Sequence, residues 1–208
     1  YNFRLLVDDA HGFGTLVEGG RGTGYEQGVQ DDIDVYFATF AKSMAGIGAF
    51  LAGDKDVIQF LQYNMRSQTF AKTLPMAMVK GALKRLDMIR TMPELKDTLW
   101  KNTNSLQSGL RNAGFDLGTT QTCITPVFLK GEVPEAMALV YDLRENHGVF
   151  CSIVVYPVIP KGLIILRLIP TATHTQTDID ETIVAFSAIR DLLENGTYKK
   201  IAASMMEA

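Results

Sequence analysis

The sequence predicts an α/β protein made of two domains. Short apolar runs typical of buried strands alternate with longer segments in which apolar residues recur at the spacing of an amphipathic helix. Pro93 interrupts the helical pattern near the middle of the chain, because proline cannot continue a helix. We therefore expect a first domain over residues 1–92 and a smaller α+β domain over residues 93–208.

The first domain is predicted to contain three strands and two helices. The strands are the apolar runs at residues 5–7, 35–39 and 49–52. Helices are expected over residues 54–66 and 75–91, because apolar side chains recur on one face of each segment. These side chains are Ile58, Leu61 and Met65 in the first helix, and Met78, Ala82, Leu86 and Ile89 in the second.

The second domain is predicted to open with a helix over residues 94–113 that ends at Gly114, a residue type favoured just past a helix. Strands are expected at 122–129, 150–155 and 163–169, with a helix over 134–146 between the first two. Pro126 indicates that its strand lies at a sheet edge or carries a bulge. A last helix is predicted to begin at Thr175, with Asp178 completing a capping box, and to end at Gly196.

The composition argues against nucleic-acid binding and against a membrane-spanning segment. The chain has 208 residues, of which 47% are hydrophobic and 21% charged, and its formal net charge is −3. No basic cluster exceeds Lys199-Lys200, which argues against nucleic-acid binding. The apolar run at 162–169 is too short to span a bilayer and contains an arginine. Peripheral contact with a membrane stays open.

The two cysteines, Cys123 and Cys151, stand in apolar runs without the spacing of metal ligands. We expect both to be buried free thiols, and we expect no metal site. Free thiols are typical of a reducing compartment, which favours a cytoplasmic location.

Lys42 follows an apolar run and is flanked by small residues. A buried ammonium group is costly unless it is neutralised or given a partner. Two interpretations follow: either the chain emerges at the surface here, or Lys42 is a nucleophile that forms a Schiff base with a carbonyl compound.

The segment that follows the first predicted strand carries acids, a histidine and glycines. Polar groups at the carboxyl ends of α/β strands are where ligands bind. Asp8 could pair with a cationic ring nitrogen, and His11 could reach a neighbouring oxygen of the same ligand, while Gly12 and Gly14 would let the backbone approach. The alternative is an Asp-rich turn with a helix-capping acid.

Arg167 stands in an apolar run that we expect to be a strand buried on both faces. Because a guanidinium keeps its charge, it needs an anion there. The anion is either a structural Asp or Glu, or the carboxylate of a ligand held by both arms of the fork. His174 stands at a helix entry, where a structural role is expected.

Together these segments resemble the α-oxoamine synthase family of pyridoxal-phosphate enzymes. The motifs occur in the family's order and spacing, with the lysine about thirty residues after the histidine: Asp8-Asp9-Ala10-His11-Gly12, Gly20-Arg21-Gly22, Thr39-Phe40-Ala41-Lys42 and, after Arg167, Ala172-Thr173-His174-Thr175. The resemblance covers the chain and is greatest to the bacterial serine palmitoyltransferases. It implies a fold-type-I architecture, in which residues 1–92 form the C-terminal part of the large domain.

The resemblance also implies roles for the site residues. Lys42 would anchor pyridoxal 5'-phosphate and remove the substrate's α-proton, Asp8 would hold the ring nitrogen's proton, and His11 would bond the ring's 3-oxygen. Thr39 would contact the phosphate, and Arg167 would bind the substrate carboxylate.

Family members share their sites across a homodimer, through a segment that here is Phe70-Ala71-Lys72-Thr73-Leu74-Pro75. Lys72 and Thr73 would reach the neighbour's phosphate, although Lys72 replaces a small polar residue and could instead face solvent. Residues 156–160 also depart from the family's usual substrate-entrance loop, so the acyl specificity stays open.

The implied reaction is the decarboxylative condensation of L-serine with palmitoyl-CoA to 3-ketodihydrosphingosine, the first step of sphingolipid synthesis. Glycine C-acetyltransferase and 8-amino-7-oxononanoate synthase activities remain alternatives, because they use the same residues. An aminotransferase is disfavoured by His11, where common aminotransferases place tyrosine, and a non-catalytic subunit is disfavoured by Lys42. Family members are about twice this length, so we expect a C-terminal portion rather than a complete short protein.

Overall fold

The computed structural model of the chain describes residues 3–207, so the outermost residues of the two predicted domains lie outside it. The described residues form two compact units that divide within one helix, between Lys96 and Asp97. This division falls close to the boundary predicted at Pro93.

The first unit contains three strands and four helices, together with two short 3-10 turns at Glu18–Gly20 and Gln30–Asp32. In chain order the elements are β1 (Leu6–Asp8), α1 (Thr23–Glu26), β2 (Val35–Thr39), β3 (Ala49–Gly53), α2 (Lys55–Asn64), α3 (Arg66–Thr69) and α4 (Met76–Thr91). The single helix predicted over 54–66 is interrupted, because the backbone becomes extended at Met65 (φ −74°, ψ 117°).

The strands of the first unit form a sheet in the order β1-β2-β3. β1 runs parallel to β2, and β3 returns antiparallel to it. The carboxyl ends of β1 and β2 therefore lie at the same sheet edge, where loops between parallel strands and helices form ligand sites.

The second unit contains the predicted α+β elements and one additional helix. These are α5 (Pro93–Asn112), in which the unit begins, β4 (Thr125–Lys130), α6 (Val133–His147), β5 (Ser152–Val154), β6 (Leu163–Leu168), α7 (Gln176–Glu194) and α8 (Thr197–Glu207). The sheet order is β4-β6-β5 and all pairings are antiparallel. β4 is thus an edge strand, as Pro126 predicted.

Local signals placed the helix ends of the second unit correctly. The amide of Phe115 donates to Leu110 O at 3.0 Å around Gly114, whose φ is +86°, so α5 ends as the glycine predicted. Thr175 and Asp178 form the predicted capping box of α7. The prediction missed α8, in which Tyr198 and Ala202 are buried.

The core of the second unit is one continuous cluster of side chains from both layers. α5, α6 and α7 bury Leu110, Leu139 and Phe186 against the buried face of the sheet, which carries Val127 and Leu166. Burial of such side chains contributes about 1.5–3 kcal/mol each and is the main stabilising term of this unit.

The helices of the first unit are much less buried than those of the second unit. α2 and α4 contain no buried residue, and large apolar side chains such as Phe60, Tyr63 and Phe70 are 64%, 76% and 78% exposed. An exposed apolar surface of this size is typical of a face that is covered by further protein.

Both cysteines are buried and neither forms a disulfide, as the sequence predicted. Burial raises the pKa of the Cys151 thiol to about 11, so that roughly one side chain in a thousand is ionised at pH 8. We expect neither Cys123 nor Cys151 to be alkylated in the folded protein at pH 8, and both to react in denaturant, as measured by peptide mapping. Rapid labelling of Cys151 before unfolding would contradict the buried position.

Candidate active site

The segments that follow β1 and β2 are joined at the carboxyl edge of the first sheet. Asp8 ends β1 opposite Phe37 of β2, and the amide of Asp9 donates to Phe37 O at 2.8 Å. Further along, the Ser43 hydroxyl donates to Phe13 O at 2.7 Å. The turn that carries Asp8 and His11 is therefore attached directly to the residue that follows Lys42.

Lys42 lies in an exposed turn just beyond β2, closed by a hydrogen bond from Ala45 N to Lys42 O of 2.9 Å. The Thr39 hydroxyl shapes this turn, since it accepts from Ala41 N at 3.1 Å and donates to Gly48 O at 3.2 Å. The Lys42 side chain is exposed, which leaves its ammonium group accessible to a ligand. Its predicted role as a Schiff-base nucleophile stays a prediction. The predicted contact of Thr39 with phosphate stays a prediction.

Asp8 and His11 are exposed at the same edge. The Asp8 Oδ1 atom accepts a hydrogen bond from Ala10 N at 3.0 Å, which orients the carboxylate at the start of the turn. An accessible carboxylate can bind a cationic ring nitrogen, and an imidazole one turn away can bond a ring oxygen. Both groups lie at the carboxyl end of β1, where the sequence places them, and their predicted contacts with the cofactor ring stay predictions.

Asp9 is the residue of this site whose importance the sequence did not indicate. It is 4% exposed, and its oxygens accept hydrogen bonds from Thr23 N at 2.8 Å, from the Thr23 hydroxyl and from the Tyr36 hydroxyl at 2.7 Å. Burial, followed by this bond to Asp9, raises the pKa of the Tyr36 hydroxyl above its ordinary value. Asp9 therefore connects β1, β2 and α1 beneath the exposed Asp8.

The glycines of the turn make room for protein groups. A Cβ on Gly12 would lie 2.2 Å from Asp9 Oδ1, and one on Gly14, whose φ is +82°, would lie 2.5 Å from Ser43 Oγ. The sequence predicted that they admit a ligand. The structure instead assigns their space to the two side chains that hold the loops together.

Arg167 lies in the second unit, on β6, and the expectation that this strand is buried on both faces is wrong. Ile164, Leu166 and Leu168 point into the core, whereas Arg167 lies on the alternate face and is partly exposed. A strand that alternates in this way has one face on the core and one accessible. Among the described residues, no Asp or Glu forms an ion pair with Arg167. Its Nε donates to Ser152 Oγ at 3.2 Å.

The loop after β6 is held by Asn102 of α5. Asn102 is 4% exposed and its amide donates to Thr171 O at 3.0 Å and to His174 O at 2.8 Å. His174 Nδ1 accepts from Thr171 N at 3.2 Å, which agrees with the structural role predicted for this histidine. These contacts fix the chain directly beyond β6, the strand that carries Arg167.

Lys72 and Thr73 are exposed in the segment between α3 and α4. Their predicted contact with a neighbouring subunit stays a prediction. Among the side chains that the structure describes, no group of three or more His, Cys, Asp or Glu residues is arranged to hold a metal ion. No helix in this part of the chain combines the length and apolar character needed to cross a membrane.

The fold and the site are those of a fold-type-I pyridoxal-phosphate protein. An accessible lysine follows β2, an acid ends β1 and a histidine follows it, and an α+β unit comes next in the chain. The chain belongs to the family of class I and II aminotransferases, whose sequence model matches residues 1–186. Within that family its relatives are α-oxoamine synthases, as the motifs predicted.

Two curated relatives and one solved structure illustrate the similarity. A cysteate-C-fatty acyltransferase of Capnocytophaga ochracea is 67% identical over 99% of this chain. A serine palmitoyltransferase of Sphingobacterium spiritivorum is 40% identical over 88% of this chain. These matches cover 49% and 45% of the two relatives, so the chain spans about half the length of the curated relatives it matches. The solved serine palmitoyltransferase of Sphingomonas wittichii superposes with a TM-score of 0.83 at 32% identity, over 89% of this chain and 46% of that one.

Pyridoxal phosphate is the cofactor of this protein class, and the residues present fit it. Lys42 offers an accessible amine, and Asp8 offers an accessible carboxylate fixed at the end of the neighbouring parallel strand. The hydrogen bond between Ser43 and Phe13 keeps the two loops together. The first unit therefore has the amine and the acid that this cofactor needs at one sheet edge.

Proposed function

We propose that the protein transfers a fatty acyl group from acyl-CoA to the α-carbon of cysteate, with loss of the amino acid's carboxylate as carbon dioxide. The observation that carries this proposal is the 67% identity to a cysteate-C-fatty acyltransferase along 99% of the chain. The reaction needs an amine and a carboxylate-binding group, and Lys42 and Arg167 offer them. Lys42 is accessible, and the Arg167 guanidinium forms no ion pair among the described residues.

L-Serine, the substrate that the motifs predict, is the second candidate. It is favoured by the 40% identity to a serine palmitoyltransferase and by the superposition on a solved one. Cysteate and serine share the α-amino and α-carboxylate groups and differ at the β-carbon, where one carries a sulfonate and the other a hydroxyl. The residues named above act on the shared groups, so both candidates use them in the same way.

Each group has a defined task in the proposed reaction. The cofactor, when bound, supplies an electron sink for the carbanion at the α-carbon. Asp8 keeps a proton on the ring nitrogen, which strengthens that sink, and His11 orients the ring through its 3-oxygen. Lys42 holds the cofactor before the amino acid binds, and afterwards its free amine removes the α-proton.

The bonds of the reaction balance without a further reactant. The α-carbon, after losing its proton to Lys42, forms a bond to the acyl carbonyl carbon, and coenzyme A leaves as the thiol. The carboxylate is then lost as carbon dioxide and a proton takes its place. Arg167 holds the carboxylate until that step, because a planar guanidinium binds a carboxylate through two parallel hydrogen bonds.

We further propose that the protein acts as a homodimer with shared active sites. The exposed apolar side chains of α2 and of the segment after α3 support this, since Phe60, Tyr63 and Phe70 need cover. Lys72 and Thr73, which lie next to Phe70, would then reach the phosphate bound by the neighbouring subunit. The two buried cysteines, which form no disulfide, are consistent with a cytoplasmic site of action.

Release of coenzyme A from the full-length protein tests the proposed function. Cysteate, serine, glycine and alanine are each paired with palmitoyl-CoA, acetyl-CoA and pimeloyl-CoA. We expect the highest kcat/KM for cysteate with palmitoyl-CoA, and activity with serine as the next highest. Preference for glycine with acetyl-CoA, or for alanine with pimeloyl-CoA, would overturn the proposal in favour of the two alternative synthase activities.

A further inference from the structure

On the partly exposed face of the second sheet, Arg167 and its cross-strand neighbours form one row of side chains, and a second row lies beside it. In register, Arg167 lies between Pro126 on β4 and Ser152 on β5. Directly opposed residues share a face of a sheet. The next row on this face consists of Phe128, Ile165 and Val154, which carry no polar side-chain atom. Ser152 is therefore the only side-chain acceptor that these two rows offer to the guanidinium.

The hydrogen bond to Ser152 uses a particular edge of the guanidinium. Nε donates to Ser152 Oγ at 3.2 Å, so the edge formed by Nε and its neighbouring terminal nitrogen is already engaged. Proline on the other side offers no side-chain acceptor. The edge formed by the two terminal nitrogens remains for an anion, and it points along the axis of the side chain.

We propose that Ser152 is a positioning residue that turns Arg167 so that its two terminal nitrogens bind the α-carboxylate of the amino-acid substrate end-on. This inference rests on the proposed function, in which Arg167 binds that carboxylate. Ser152 itself does not touch the substrate. Ser152 acts by holding Nε. A carboxylate then cannot bind side-on, through Nε and one terminal nitrogen. The side chain of Arg167 also loses less rotamer entropy when the substrate binds, because it is already held.

The test measures amino-acid binding to the full-length holoenzyme through the change in the cofactor's visible absorbance. Ser152→Ala is expected to raise the dissociation constants of serine and cysteate by about tenfold, the effect of losing one hydrogen bond to a charged group. Ser152→Thr, which keeps the hydroxyl, is expected to restore binding. The kcat and the KM for acyl-CoA are expected to change less than about twofold, since Ser152 contacts neither the acyl-CoA nor the reacting atoms.

A double-mutant cycle shows whether Ser152 acts through Arg167. In an Arg167→Ala background, Ser152→Ala is expected to have no further effect on either dissociation constant. Ser187→Ala serves as the matched control, because its hydroxyl bonds Ile183 O within α7 and is expected to leave binding unchanged. Melting temperatures of all variants separate loss of folding from loss of binding.

The outcomes distinguish this inference from the proposed function. If Arg167→Ala weakens binding but Ser152→Ala does not, or if Ser152→Ala is equally damaging without Arg167, the positioning role is overturned while the carboxylate role stands. If Arg167→Ala leaves both dissociation constants unchanged, the carboxylate role fails and the positioning role with it. Weaker binding of cysteate alone would assign the guanidinium to the sulfonate and overturn both assignments to the carboxylate.

Discussion

Replacing Lys42 with alanine in the full-length protein is expected to lower the rate of coenzyme A release by roughly four orders of magnitude. In the proposed function two roles would be lost together, because the same amine would hold the cofactor and remove the α-proton. Lys42 lies in an exposed turn in which its backbone carbonyl, not its side chain, closes the hydrogen bond to Ala45. The substitution should therefore leave the fold intact. The visible absorbance of the bound cofactor and the rate of coenzyme A release measure the two losses separately.

Lys80→Ala is a suitable control for the loss of one positive charge, because Lys80 is exposed on α4 of the same unit. It is expected to keep both the absorbance band and the activity. If Lys42→Ala retained the band and the rate of the unchanged protein, Lys42 would not be the cofactor's anchor. If activity were lost in both variants, net charge rather than this amine would explain the loss.

Replacing Asp9 with alanine is expected to lower the free energy of unfolding by about 3 kcal/mol. The buried carboxylate accepts from the Tyr36 hydroxyl, from Thr23 N and from the Thr23 hydroxyl, so its removal leaves donors without partners. An unsatisfied buried donor costs about 1–3 kcal/mol. Urea denaturation of the full-length protein measures the loss. Cofactor affinity should fall as well, because Asp9 supports the turn that carries Asp8 and His11.

Tyr36→Phe provides the graded comparison for Asp9. It removes one donor and leaves the carboxylate its two bonds from Thr23, so a loss of about 1 kcal/mol is expected. Asp8→Asn, one residue earlier and exposed, should weaken cofactor function with little change in stability. Equal stability of the Asp9→Ala variant and the unchanged protein would refute the role of Asp9 as the support of the turn.

Much of the fold could be predicted from the sequence because its signals are local. Three predicted features depend on residues only a few positions apart, and each is confirmed. They are the apolar spacing of α5, the Gly114 that follows it, and the capping box of Thr175. α8 was not predicted from the sequence, and its burial depends on packing against α6, where the Tyr198 hydroxyl donates to Asp142. The interruption at Met65 likewise has no proline or glycine to indicate it.

By itself the sequence determined the family, and it predicted which groups would carry the chemistry. Lys42, Asp8, His11 and Arg167 stand in motifs whose order and spacing indicate the cofactor and the family. The tertiary structure alone decided what supports them: Asp9 and Ser152 have unremarkable sequence contexts, and their partners lie on other strands or loops. The physical reason is that a hydrogen bond between residues far apart in sequence leaves no periodic pattern. Burial and register, which make Asp9 a support and Ser152 a neighbour of Arg167, exist only once the chain is folded.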